Sequence, residues 1–196
     1  MQLRRAAVAL VLAVTAAAVT LAAGHDKGEP QPAPVAATTT DAPTALDVTF
    51  AQMMIVHHAQ AVSMSKALLA KPGAPERIAN IADFVAHDQQ REIDEMNAWL
   101  QAWGYPAVDP GDPAVQKLHG GAGHGMMSAG QLHRLDRAAF PEAGKLYLTQ
   151  MIEHHNGAIT MATSLLRNEG NEFTHGVAKH VVNEQTAEND AMRALL

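Results

Sequence analysis

The 196-residue chain contains no cysteine, few aromatic residues and little concentrated positive charge. Without cysteine it can form no disulfide, no catalytic thiolate, no iron–sulfur cluster and no cysteine-based zinc site. Aromatic residues make up only 4% of the chain, and the apolar residues are chiefly Ala, Val, Leu, Ile and Met, which favours packed helices over a β-sandwich. The formal net charge is −6 and the only basic cluster is Arg4-Arg5, so we expect no nucleic-acid partner.

The amino-terminal residues have the pattern of an export signal. Two arginines precede an uncharged, mostly apolar run from Ala6 to Ala23, and small residues occupy positions 22–24. We therefore predict a signal peptide over residues 1–23, cleaved near residues 22–24, and a periplasmic or extracellular protein. The run is close to the length that spans a bilayer, so an uncleaved membrane anchor is the alternative.

Proline and threonine dominate the stretch that follows. Residues 24–43 contain four prolines and three consecutive threonines, a composition typical of a flexible tether. The predicted folded domain then covers residues 44–196.

The domain carries one pattern twice. Residues 50–65 and 147–162 share Met, Ile, His-His, Ala and Met at an offset of 97, and a Gln-x-x-Glu-x-x-x-Met pattern follows each copy at an offset of 96. Two copies of a two-helix unit predict an all-α, antiparallel four-helix bundle. The predicted parts are repeat 1 over 44–104, repeat 2 over 140–196, and a Gly/His/Met-rich connection over 105–139.

Capping and turn residues predict where the helices begin. Thr44 with Asp47 can cap the first helix, and Pro75 can be the first residue of the second. A Ser128-x-x-Gln131 capping box predicts a short helix in the connection. Pro141 can begin the third long helix, and the fourth should start near Glu172.

Helical geometry of 100° per residue places polar residues on the inward faces. His57 and His58 flank the apolar stripe of the first helix, and His154 and His155 repeat this on the third. The outward side of the first helix should carry Val56, Ser63 and Lys66. The inward stripe of the second helix should hold Ile78, Ile81, Val85, Gln89, Glu92, Met96 and Trp103. The corresponding stripe of the fourth helix should hold Val177, Val181, Gln185, Glu188 and Met192.

Four histidines, two carboxylates and several thioethers should therefore face one interior. Burying an imidazole or a carboxylate is costly unless the group is paired or bound to a metal. A purely structural layer, in which each glutamate accepts a hydrogen bond from His or Gln, is one explanation. The repeated His-His pair with methionine on both flanks favours a metal site instead. The predicted ligands are Met54, His57, His58, Met64, Met151, His154, His155 and Met161.

Copper is the metal that this donor set favours. Thioethers select Cu(I), imidazole suits both copper states, and a di-iron bundle would need Glu-x-x-His where this chain has Met-x-x-His. We expect Cu(I) in the core, with Cu(II) as a second form. Additional candidate ligands are Glu92, Glu188, Met53, and, in the connection, His119, His124, Met126 and Met127, although these connection residues are equally compatible with an ordinary interhelix loop. His25, close to the new amino terminus left by signal cleavage, is a candidate Cu(II) ligand.

The doubled Met-x-x-His-His-x-x-Ala-x-x-Met pattern, the Gln-x-x-Glu-x-x-x-Met helices and the Gly-Met-Met segment resemble domain-of-unknown-function family 305 over about Leu46 to Leu196. That family has a ferritin-like four-helix bundle and includes CopM-like exported copper-binding proteins. The resemblance therefore implies copper binding or copper tolerance. The chain departs from its own repeat at Asn189, where the first copy has Ile93.

These patterns predict an exported, non-catalytic copper-binding protein that buffers or delivers copper, with the metal ion and another exported copper protein as its partners. One alternative is a ferritin-like metal-dependent oxidase, in which Glu92 and Glu188 would bridge two metals. The other is a metal-free interaction module whose His/Glu layer is purely structural.

Overall fold

The computed structural model describes residues 41–119 and 124–196, apart from the side chains of residues 118 and 119. These residues form six helices and no strand, which confirms the all-α prediction. The helices are α1 (Ala45–Leu69), α2 (Glu76–Ala102), α3 (Pro113–His119), α4 (Ala129–Arg137), α5 (Glu142–Leu165) and α6 (Glu172–Arg193).

The predicted signal peptide and His25 lie outside the described residues, as does the predicted tether apart from residues 41–43. Across 41–119 and 124–196, none of the helices has the length and apolar character needed to cross a membrane.

The four long helices pack as a bundle. α1 packs against α2, α5 against α6, and α1 against α5. The Ser65 hydroxyl near the end of α1 lies 2.9 Å from the Tyr147 hydroxyl near the start of α5, so these two helices run in opposite directions. Short turns at 70–75 and 166–171 reverse the chain within each pair, as expected for antiparallel neighbours.

The helix starts follow the cap signals closely. Thr44 and Asp47 form a capping box at α1, and Ser128 and Gln131 form another at α4, both as predicted. Pro75 and Pro141 are N-cap residues of α2 and α5 and not the first helical residues. Each predicted start is therefore displaced by one residue, within the usual spread of helix boundaries.

The connection contains a helix that the predictions omit. In α3, Asp112 accepts a hydrogen bond from the Ala114 backbone N–H at 2.8 Å, and Pro113 is the first helical residue. α3 packs on α1, and Val56 of α1 shares a buried cluster with Val108 of the connection. The outward placement of Val56 is therefore wrong, since the connection covers that side of the helix.

A buried hydrogen-bond network closes one end of the bundle. The Asp47 carboxylate accepts hydrogen bonds from the Thr174 hydroxyl at 2.5 Å and the Asn171 backbone N–H at 3.1 Å. The Trp99 indole N–H donates to the Asn171 side chain at 3.1 Å. The predicted inward tryptophan, Trp103, is 40% exposed because α2 ends at residue 102, and Trp99 occupies the core instead.

Two apolar clusters fill the interior, one towards each end of the bundle. On α5, one cluster ends at Met151 and the other begins at Ala158. On α2, the first cluster ends at Val85 and the second begins at Ile93. The intervening positions on α2, α5 and α6 carry polar side chains that are buried: Gln89, Glu92, His154, His155 and Gln185. The bundle thus has a polar layer at mid-height.

Candidate metal centre

The predicted histidine set lies in this polar layer. His57, His58, His154 and His155 are all buried, as their helix faces predict. α1 and α5 each supply two consecutive histidines, which project at 100° to one another. One member of each pair therefore meets its own partner helix, and the other meets the opposite long helix.

Two histidine–glutamate pairs repeat across the bundle. The Nε2 atom of His58 lies 2.7 Å from Glu92, and the Nε2 atom of His155 lies 2.7 Å from Glu188. A carboxylate that receives the Nε2–H holds the ring in the tautomer whose Nδ1 carries a lone pair. Ligating histidines in metalloproteins are oriented in this way by a carboxylate behind them.

The remaining two histidines meet at the centre. The ring centroids of His57 and His154 are 3.7 Å apart, with the planes tilted by 35°. The Nε2 atom of His57 lies 2.9 Å from the backbone carbonyl of His124. Because a carbonyl can only accept, this Nε2 carries the hydrogen and Nδ1 of His57 has a free lone pair.

The imidazoles leave several buried nitrogen atoms without hydrogen-bond partners among the described residues. These atoms are Nδ1 of His57, His58, His154 and His155, and Nε2 of His154. A buried nitrogen without a partner costs free energy, so its presence calls for an explanation such as a bound ion. A structural His/Glu layer explains the Nε2 contacts of His58 and His155 but not the central pair.

Burial also keeps the central pair in the neutral form. Desolvation, aided by the nearby His58, lowers the pKa of His57 to about 3. Desolvation, aided by His57, lowers the pKa of His154 well below its ordinary value. Neutral imidazole is the form that binds metal, so both rings are ready to ligate at pH 7.

The methionines divide between the core and one surface pocket. Met54, Met64 and Met151 are buried in the apolar clusters. Met53 and Met161, with His124, line a surface pocket of about 180 Å³ at the end of the bundle where α1 begins and α5 ends. Two methionines and one histidine thus line the pocket, and their side chains are of the types suited to Cu(I).

The connection docks closely beside this pocket. His124 and Gly125 have φ values of 60° and 78°, and a Cβ atom added to Gly157 would lie 1.5 Å from the His124 carbonyl oxygen. The Gln60 side chain accepts from the Met127 backbone N–H at 2.6 Å and donates to its carbonyl at 3.1 Å. Neither Gln60 nor Gly157 was among the predicted functional residues.

The other candidates of the connection have different positions. The side chains of Met126 and Met127 are buried in the apolar clusters and do not line the pocket. The side chain of His119 lies outside the described part of the chain. His124 is therefore the connection histidine that the structure brings to the pocket.

A second group of ligand-type side chains shares Glu92 with the polar layer and extends from there to the surface. Within residues 41–119 and 124–196, one set of three His, Asp or Glu residues has its ligand atoms within 4.8 Å of one another: Asp88, Glu92 and His180. Asp88 and Glu92 share a face of α2 at a spacing of four residues, which the sequence shows. The contribution of His180 from α6 depends on tertiary packing, which the sequence does not show.

Comparison with known proteins supplies the context for these sites. The sequence model of the domain of unknown function DUF305 matches residues 47–196. A solved DUF305 fragment from Deinococcus radiodurans is 26% identical, with a TM-score of 0.67, and the match covers 78% of this chain and 96% of that one. A DUF305 protein from Streptomyces coelicolor, provisionally described as secreted, is 30% identical, with a TM-score of 0.67 and coverage of 77% and 91%.

CopM in its Cu(II)-bound form is also similar. It is 32% identical, with a TM-score of 0.62, and the match covers 76% of this chain and 94% of CopM. CopM has also been solved with Cu(I) and with silver. Among curated proteins, none matches the chain significantly.

Proposed function

Because the chain belongs to the DUF305 family, we propose that its buried imidazoles and thioethers serve the copper chemistry seen in its structural relative CopM. In this proposal the protein is exported, is not an enzyme, and buffers or delivers copper through Met/His clusters. The observation that carries the proposal is the central pair, His57 and His154, whose rings are neutral and whose Nδ1 atoms are buried without a hydrogen-bond partner among the described residues.

Two parts of the bundle would hold the metal. The central histidines supply borderline imidazole donors, and Met53, Met161 and His124 supply softer donors at the pocket. The hydrogen bond between His57 and the His124 carbonyl joins the two parts. An ion that enters the surface pocket would thus lie one residue, His124, away from the buried imidazole of His57. Met54, Met64 and Met151 remain candidate ligands deeper in the bundle.

The metals bound in the CopM structures support copper as the ion. Cu(I) and Ag(I) are both soft ions that thioethers bind well, and CopM has been crystallised with each. Export is supported by the signal pattern of residues 1–23 and by the secreted description of the Streptomyces coelicolor relative. Cysteine-free Met/His sites also suit an oxidising compartment.

The two alternatives explain less of the geometry. An oxidase with a two-metal centre needs bridging carboxylates, but Glu92 and Glu188 each pair with the histidine of their own helix pair. A metal-free module accounts for those two pairs and leaves the central histidines unexplained. Oxygen consumption on adding Fe(II) or Cu(I) would support the oxidase.

A competition titration with a chromophoric Cu(I) chelator tests the proposal. We expect the double substitution His57→Gln and His154→Gln to weaken Cu(I) binding by about tenfold or more. The matched control is His87→Gln, because this histidine of α2 is 80% exposed and should leave the affinity unchanged. Equal effects of the double variant and the control, with circular dichroism showing both folded, would contradict the proposal.

A further inference from the structure

We propose that Asp88, Glu92 and His180 form a second metal site, at the surface between α2 and α6, for a divalent ion of borderline hardness such as Zn²⁺. The Nε2 atom of His180 lies 3.7 Å from Asp88 Oδ2 and 3.6 Å from Glu92 Oε1. All three ligand atoms lie within 4.8 Å of one another. The two carboxylates and one imidazole distinguish this site from the thioether-lined pocket.

The spacing of these atoms fits a metal better than it fits hydrogen bonds. Separations of 3.6 and 3.7 Å exceed those of ordinary N–H···O hydrogen bonds. Two ligand atoms bound to one tetrahedral zinc ion, each about 2.0–2.2 Å from it, lie roughly 3.4 Å apart. The two separations to His180 would therefore need to shorten by only a few tenths of an ångström to bind an ion.

Glu92 supplies the observation that points to a cation. Its side chain is only 4% exposed, and its Oε2 atom is bonded to His58 at 2.7 Å. The other oxygen, Oε1, has no hydrogen bond from the described residues and faces His180. This oxygen is therefore free to bind a cation together with the imidazole of His180, while Oε2 keeps its contact with His58.

Asp88 is held in a position to bind the same ion. Arg91 donates to Asp88 Oδ1, which leaves Oδ2 directed towards His180, and Arg91 also pairs with Glu95 at 2.9 Å. A residue that orients a ligand from behind is a common feature of metal sites. The guanidinium charge of Arg91 is shared between Asp88 and Glu95.

The ion would exchange readily with solvent. His180 is 43% exposed, so the fourth position of a tetrahedral ion faces water. Through Glu92, the same ion would be only one side chain away from the buried His58. The site therefore lies between solvent and the polar layer.

The internal repeat places a corresponding set of residues between the same two helices, α2 and α6. At an offset of 96, Glu184 and Glu188 correspond to Asp88 and Glu92, but Phe84 stands where the site has His180. Phe84 and Glu188 line one surface pocket, so a histidine in place of Phe84 would bring an imidazole to this carboxylate.

Calorimetric titration of the purified protein with Zn²⁺ alone tests the proposal. We expect Asp88→Asn and His180→Gln each to remove one zinc equivalent or to weaken it by about tenfold or more. Glu184→Gln is the matched control and should leave zinc binding unchanged. Phe84→His should add one equivalent by supplying an imidazole to Glu184 and Glu188.

Zinc binding by Asp88→Asn and His180→Gln equal to that of the unaltered protein, with circular dichroism showing both variants folded, would overturn the proposal. Cu(I) affinity measured on the same two variants separates this result from the copper proposal. We expect that affinity to stay unchanged, because neither residue lines the thioether pocket.

Discussion

The two helix pairs share one contact: His58 of α1 lies 2.7 Å from Glu92 of α2, and His155 of α5 lies 2.7 Å from Glu188 of α6. The residues around these two histidine–glutamate contacts differ between the helix pairs. At an offset of 97, the first pair has Met53 where the second has Gln150. The shared contacts are those that a buried imidazole layer needs. The residues that differ determine at which end of the bundle a metal ion from solvent would approach that layer.

The pockets at the two ends show the consequence. Met161 lies in the pocket that also holds Met53 and His124. Its counterpart, Met64, lies in a pocket lined by residues of α4, and Gln150 donates a hydrogen bond to the Gln131 carbonyl at 3.3 Å. One end of the bundle therefore presents two thioethers together and the other end is covered by a helix, which predicts a single soft-metal opening per chain.

His57 and His154 should make the stability of the metal-free protein sensitive to acid, and this is the largest change in stability that we predict. Unfolded chains bind protons at His57 and His154 below about pH 6.5, whereas folded His57 resists protonation down to a pKa of about 3. Stability should thus be unaffected above pH 6.5 and fall at lower pH, by about 1.4 kcal/mol per pH unit for each histidine.

Denaturant unfolding between pH 7 and pH 4 measures this dependence. His57→Gln and His154→Gln should each reduce the slope by a similar amount, because both rings are buried and both pKa values are lowered. A slope reduced by only one of the two variants would show that the two helix pairs differ at the centre as well.

Asp47 anchors the first helix pair and has no counterpart in the second, where Gly144 occupies the position. Burial alone would raise the pKa of Asp47, but hydrogen bonds from Thr174, Thr44 and the Asn171 backbone lower it overall. Asp47→Asn should cost about 2–4 kcal/mol at pH 7. Because the lowered pKa stabilises the fold only above about pH 3.8, this cost should shrink as the pH falls below that value.

Thermal melts of Asp47→Asn at pH 7 and pH 3 give both quantities. Asp83→Asn, at an exposed position of α2, is the control and should change stability by less than about 0.5 kcal/mol. A cost that does not depend on pH would show that the carboxylate charge is not what joins the helices.

Gly157 and its counterpart Gln60 hold the connection in different ways, and a pair of glycine substitutions tests the tighter contact. Gly157→Ala should cost about 1–3 kcal/mol, since the added Cβ would lie 1.5 Å from the His124 carbonyl oxygen. Gly176→Ala in α6 meets no atom within 4 Å and should stabilise the protein by about 0.5–1 kcal/mol. Equal denaturation midpoints for the two variants would show that the connection is not docked on Gly157.

The smallest expected effect concerns a polar pair in the second half. Asn189 donates to Asn156 at 3.1 Å, where the first half has Ile93 and Ala59. Asn156→Ala should cost about 1 kcal/mol by leaving a buried amide without its partner. Adding Asn189→Ile should restore stability in urea unfolding; a further loss would mean that the two halves pack differently here.

Much of the fold follows from local sequence. The capping boxes at Thr44 and Ser128 and the inward histidines all depend on residues within one or two turns, which spacing reveals. The contact of Gly157 with His124 and that of His180 with Asp88 join residues far apart in the sequence, so no local signal marks them. Val56 is buried by the connection, which an isolated helix face does not reveal.

The proposed copper site can be located directly by anomalous diffraction at the copper edge from crystals grown with Cu(I). We expect copper beside Met53 and Met161 or at the neighbouring imidazoles of His57 and His154. Copper found only at exposed residues such as His87, or only at Asp88 and His180, would contradict the proposal that the buried Met/His clusters hold the metal.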